Sequence, residues 1–133
     1  MKKLLLLVAL FIGLGLSVQA QDYSGLIKTA TLTNAQTDST VVTIPKGRSA
    51  VTFKYDIVKT SGTIAGTIVL QTKVTSLAGE QRWQTVNTFT ITDGATDGGY
   101  VSLALNPGLR YKVLTVTSGT SVSVHKYYLL YRQ

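Results

Sequence analysis

Beyond residue 20 the chain repeats one local pattern, in which apolar and polar side chains alternate with a period of two. Val51, Phe53, Tyr55 and Ile57 alternate with Thr52, Lys54, Asp56 and Val58. Ile64, Gly66, Ile68, Leu70 and Val74 stand against Thr63, Thr67, Gln71 and Lys73, and Val101, Leu103 and Leu105 against Ser102 and Ala104. Val122 and Val124 start a last run whose phase continues through Tyr128 and Leu130. Such alternation turns one face of a strand toward a core and the other toward water, the mark of antiparallel sheets. No helical period of useful length follows residue 20, and the abundant threonine and valine suit a pleated surface.

Turn signals separate these runs. Pro45-Lys46-Gly47 divides a strand near Thr40–Ile44 from one near Ala50–Thr60, which Ser61-Gly62 ends. Leu77-Ala78-Gly79-Glu80 divides a strand ending near Thr75 from one near Arg82–Thr92. A glycine- and aspartate-rich loop runs from Asp93 to Gly99, Asn106-Pro107-Gly108 is a proline-primed turn, and Ser118-Gly119 suits a two-residue hairpin. The pattern predicts about eight strands in one antiparallel β-sandwich, jelly-roll or immunoglobulin-like. Segment 21–38 reads as an ordinary first strand, with an arm exchanged onto a neighbouring subunit as the alternative.

The first twenty residues follow a different logic. Met1-Lys2-Lys3 is basic, Leu4–Leu16 is an apolar run of 13 residues, and Val18 and Ala20 stand where a signal peptidase reads. This is the layout of a secretory signal peptide, with cleavage expected after Ala20. The run is shorter than the roughly 20 apolar residues of a spanning helix, so no membrane association is expected after cleavage. The expected organisation is therefore a signal peptide over 1–20 and one domain over 21–133, secreted to an extracellular or periplasmic location. The chain has no cysteine, so neither disulfides nor a lipidated cysteine can hold it.

Charge changes the picture little. The formal net charge is +7, of which Lys2 and Lys3 belong to the leader. The other basic residues are scattered and form no run, which reads as a solvated face more readily than as an anionic-surface site. Scattered charge without a recognition motif argues against nucleic acid.

Chemistry is sparse. His125, the only histidine, sits inside the last strand, where a packed core residue is the simpler reading than a triad member. The six carboxylates lie mostly in turns, and no cofactor or zinc site is expected. Asp93 and Asp97 form a weak calcium candidate whose spacing departs from an EF-hand loop. These observations predict a protein that is not an enzyme. Phe53, Tyr55 and Phe89 are expected in the core. Trp83, Tyr100, Tyr111, Tyr127, Tyr128 and Tyr131 are candidate binding aromatics, able to stack on sugar rings or anchor a partner. Because Tyr127 and Tyr128 are adjacent, a regular strand turns them to opposite sides.

The stretch Gly66-Thr67-Ile68-Val69-Leu70-Gln71, followed by Trp83-Gln84-Thr85-Val86-Asn87-Thr88-Phe89-Thr90-Ile91-Thr92, resembles a hairpin of small threonine-rich β-sandwich proteins. These are virion proteins of phages and short secreted surface proteins of Bacteroidota. The turn here, Ser76-Leu77-Ala78-Gly79-Glu80-Gln81-Arg82, lacks the aspartate usual in that hairpin. The resemblance implies the fold and a structural or assembly role, and no active site. The leading expectation is a secreted structural or surface-assembly protein, self-associating as a homo-oligomer or polymer through strand edges. The alternative is a module binding polysaccharide or the cell envelope through exposed aromatics.

Overall fold

A computed structural model describes residues 22–45, 50–75, 81–104 and 110–132. The expected leader over 1–20, the turns expected at Leu77–Glu80 and Asn106–Gly108, and Lys46, Gly47 and Leu105 lie outside them. The alternating segments form eight strands: β1 (Asp22–Thr33), β2 (Thr37–Thr43), β3 (Ala50–Ser61), β4 (Ile64–Thr75), β5 (Gln81–Ile91), β6 (Thr96–Ala104), β7 (Arg110–Gly119) and β8 (Val122–Arg132). They build two four-stranded sheets, β1-β8-β3-β6 (sheet A) and β2-β7-β4-β5 (sheet B), and every pairing is antiparallel. Segment 22–33 is a first strand, paired with β8 of the same chain.

The chain changes sheet at every connection except β4–β5. That order is a jelly roll; an immunoglobulin-like sandwich would keep its first two strands in one sheet. Ser118-Gly119 is accordingly not a hairpin turn. It leads β7 of sheet B into β8 of sheet A, with Gly119 at φ 100° and Thr120 N–H donating to Thr63 O at 3.2 Å. A corner between sheets and a hairpin both ask for a positive-φ glycine, so local chemistry does not separate them. The adjacent corner, β1 to β2, turns at Asn34 (φ 57°), whose N–H donates to Ser121 O at 2.7 Å, and is tied to β7. Thr117 Oγ1 donates to Asn34 O at 2.8 Å, and Thr117 N–H donates to Gln36 O at 2.8 Å.

Between the sheets lies a core of Val51, Phe53, Tyr55, Ile57, Tyr127 and Leu129 from sheet A against Ile64, Ile68, Leu70, Ile91, Tyr111 and Val113 from sheet B. Phe89, half-buried on edge strand β5, joins it by an edge-on contact with Tyr55 (5.0 Å, 61°) and a tilted one with Phe53 (6.0 Å). Gly66, at φ 146°, occupies an inward position of β4 where a Cβ would stand 2.1 Å from Val116 O. Only glycine lets β7 approach β4 there.

Candidate functional site

The six candidate aromatics divide by strand parity. Tyr127 and Tyr128 do face opposite sides: Tyr127 is buried, while Tyr128 lies half-buried on the outer face of sheet A. Tyr111 and Tyr127 are core residues, which corrects the expectation of exposed platforms. Inward positions of β7 and β8 meet the opposing sheet, and a buried aromatic contributes more to packing than an exposed one. Tyr127 donates to or accepts from Thr115 Oγ1 at 2.6 Å across the sandwich, and burial pushes its hydroxyl up to about 12. Burial also raises the Tyr111 hydroxyl. Tyr131 packs half-buried against the core. Trp83, Tyr128 and Tyr100 remain on outer surfaces, Tyr100 being 73 % exposed.

On sheet A the register aligns a row across all four strands. Leu26 of β1 stands opposite Tyr128 of β8, Tyr128 opposite Lys54 of β3, and Lys54 opposite Tyr100 of edge strand β6. Lys54 Nζ lies 5.4 Å from the Tyr128 ring centroid and 3.0 Å from Asp56 Oδ2. Tyr100 and Tyr128 are separated by one strand, so their Cα atoms lie about 10 Å apart on a common face. Asp56 faces Gly98, which has no side chain to cover the carboxylate. The row thus combines two aromatic rings, a cation, an acid and the exposed Leu26. Thr52 and Ser102, hydrogen-bonded at 2.8 Å, extend it with hydroxyls. Lys54 is visible in the sequence as a polar position of an alternating strand, and Leu26 as an apolar one. Their alignment with the tyrosines depends on pairings between strands distant in sequence.

On sheet B, Trp83 of edge strand β5 stands opposite Lys73 of β4, and Lys112 Nζ of β7 lies 6.0 Å from the indole centroid. Trp83 is half-buried there.

Asp93 and Asp97 serve the β5–β6 connection. Asp93 Oδ1 accepts from Lys59 Nζ at 2.7 Å and from Ile64 N–H at 3.0 Å, and these bonds hold its carboxyl below the usual range. Asp97 accepts from Thr92 N–H at 2.8 Å and Gly98 N–H at 2.7 Å. Both carboxylates are thereby committed to fixing the loop, and no cluster of three or more metal-ligating side chains occurs among the described residues. His125 is completely buried. Its Nε2 pairs with Ser123 Oγ at 2.8 Å, its Nδ1 has no partner, and desolvation lowers its pKa. A serine–histidine pair sealed inside the sandwich has no route to a substrate in this conformation. No helix of the described residues is long and apolar enough to cross a membrane.

No protein-family model matches the sequence, and no curated protein is similar to it. Solved structures share the fold. The xylan-binding CBM22-1 domain of Paenibacillus barcinonensis Xyn10C is 9% identical, with a TM-score of 0.52 over 85% of this chain and 95% of that one. The CBM22-1-GH10 modules of Clostridium thermocellum endo-1,4-beta-D-xylanase 10B, complexed with xylohexaose, give 0.51 at 10% identity, covering 88% of this chain and 25% of that one. A T=1 particle derived from infectious bursal virus gives 0.48 at 13% identity, over 86% and 32%.

Proposed function

We propose that this protein is a non-enzymatic binding module, exported by its leader, that attaches to polysaccharide or cell-envelope surfaces through the outer face of sheet A. The observation that carries this reading is the row Leu26–Tyr128–Lys54–Tyr100. Two tyrosines on one outer face offer stacking surfaces for sugar rings of an extended glycan. Lys54 and Asp56 add a donor and an acceptor between them for paired hydroxyls. The fold it shares with a xylan-binding domain is compatible with such a role. A glycan array with the purified protein tests the reading. Tyr100→Ala and Tyr128→Ala are each expected to weaken binding about tenfold without changing the melting temperature. An array without hits, or binding unaltered in both folded variants, overturns it.

A second reading, assembly through a strand edge, is supported by the edges themselves. β1 carries a bulge between Leu26 and Lys28, β5 a bulge beside Val86, and β2 the inward-facing Asp38. These devices discourage edge pairing, whereas β6 pairs with β3 without a register shift. Polymers contacting through β6 in electron micrographs would favour this reading; a strict monomer at high concentration removes it.

A further inference from the structure

The outer face of sheet B differs in chemistry from the row on sheet A. The buried residues of β7 are Tyr111, Val113, Thr115 and Thr117, so Arg110 and Lys112 point outward. Lys112 stands opposite Gln71 of β4. Lys73 is two residues further along β4, on the same face, and is opposite Trp83. Arg110 follows at the adjoining step, where Thr72 donates to Arg110 O at 3.5 Å. Lys73, Lys112, Arg110 and Trp83 therefore share one end of the sheet, with same-face neighbours about 5 Å apart across strands and about 7 Å along them.

Asp38, Asp56, Asp93 and Asp97, the carboxylates with described side chains, lie elsewhere. Asp38 pairs with Lys28 between the sheets, Asp56 with Lys54 on sheet A, and Asp93 with Lys59 at the β5–β6 connection, where Asp97 also sits. Among the described residues, Lys73, Lys112 and Arg110 have no acidic partner. Like charges on neighbouring strands repel, and among the described residues no carboxylate stands on this face to offset that repulsion. An anion would relieve it.

We infer that this end of sheet B binds an acidic polysaccharide, one whose sugar rings carry carboxylates or sulfates. The cations take the anionic groups. Trp83 offers an indole to a sugar ring, with Lys112 already placed over it. Gln71 and Thr85, paired across β4 and β5 on the same face, add donors and acceptors for hydroxyls. Single-stranded nucleic acid shares the charge, but its bases stack on successive aromatics, and this end of the sheet presents one. The inference does not rest on the sheet A reading, because its residues, face and ligand charge are different.

Binding of polygalacturonate, dextran sulfate, uncharged dextran and single-stranded DNA to the intact protein, across a salt series, tests it. Expected is salt-sensitive binding to polygalacturonate or dextran sulfate, whichever anion the site prefers, and none to dextran. Lys73→Gln and Lys112→Gln should each weaken that binding about fivefold and reduce its salt dependence. Trp83→Ala should weaken it while leaving the salt dependence intact. Tyr100→Ala on sheet A should leave it unchanged, which separates this site from the other. Thermal melts verify that each variant is folded, and Trp83→Phe substitutes where Trp83→Ala is not. No binding to either acidic polymer, equal or tighter binding to DNA, or affinity indifferent to Lys73 and Lys112 in folded protein overturns the assignment.

Discussion

The two ends of the sandwich interior are built on opposite principles, and β8 shows the change within one strand. Toward its C-terminal half the inward positions are Tyr127 and Leu129, and the facing β7 offers Val113 and Tyr111. Phe53, Phe89 and Tyr55 complete this end with aromatic contacts 5.0–6.0 Å apart. Toward the N-terminal half, the inward positions of β8 are Ser123 and His125, with buried Ser121 just before the strand, and β7 presents Thr115 and Thr117. The hydrophobic end gains stability from area removed from water and tolerates no void. The polar end depends on each group finding its partner, since an unpaired buried polar atom costs more than a made bond returns. Most do: Ser123 with His125, Thr115 with Tyr127, and Thr117 with the β1–β2 corner. Ser121 Oγ and His125 Nδ1 do not.

That contrast can be broken most forcefully at Phe53. Phe53→Ala should cost about 3–5 kcal/mol in chemical denaturation, through lost transfer energy plus a cavity the flanking rings cannot fill. A loss below 1 kcal/mol would show that this end is not tightly packed. Next in size is Thr115→Val, which keeps the shape but leaves the Tyr127 hydroxyl buried without a partner; about 1–2 kcal/mol of destabilisation is expected. Combining it with Tyr127→Phe should recover most of that loss, because both partners are then apolar, and a double-mutant cycle reads the difference.

The gentlest probe is pH. His125 is held neutral by desolvation, opposed in part by the charge of Asp38. The unfolded chain therefore binds a proton more readily than the folded one. The stability tied to His125 is complete above its unfolded value of about 6.5 and is lost as pH falls from there toward the lower folded value. Charged groups near this end include Asp38, entering from β2, and Lys28, from β1, which ion-pair with each other at the rim, and Lys59 of β3, opposite Ser123, which pairs with Asp93. His125→Gln should flatten the stability profile below pH 6.5, as measured by denaturation at stepped pH. An unchanged slope would mean that His125 titrates alike in both states.

Much of this is legible in the sequence. The alternation Val51–Phe53–Tyr55–Ile57 marked a strand and its buried face, because burial of one face imposes period two whatever the strand pairs with. The core positions of Phe53 and Tyr55 and the opposed Tyr127 and Tyr128 follow from the same parity. Parity does not say which face is inward: in the last strand the phase Val122–Val124–Tyr128–Leu130 reads as the core face, whereas Ser123, His125, Tyr127 and Leu129 are the buried residues. The clustering of Lys73, Lys112 and Arg110 was equally hidden, since in the sequence these charges are scattered.

The chain thus carried in its local pattern the all-β class, the approximate strand boundaries and the places where the backbone must turn. Those properties depend on neighbours within a few residues. Tertiary structure alone decided that corners rather than hairpins join most strands, that Leu26, Tyr128, Lys54 and Tyr100 line up, and that Lys73, Lys112 and Arg110 gather on one face. Each of these is a register between strands far apart in sequence, set by the packing of two whole sheets and written in no single segment.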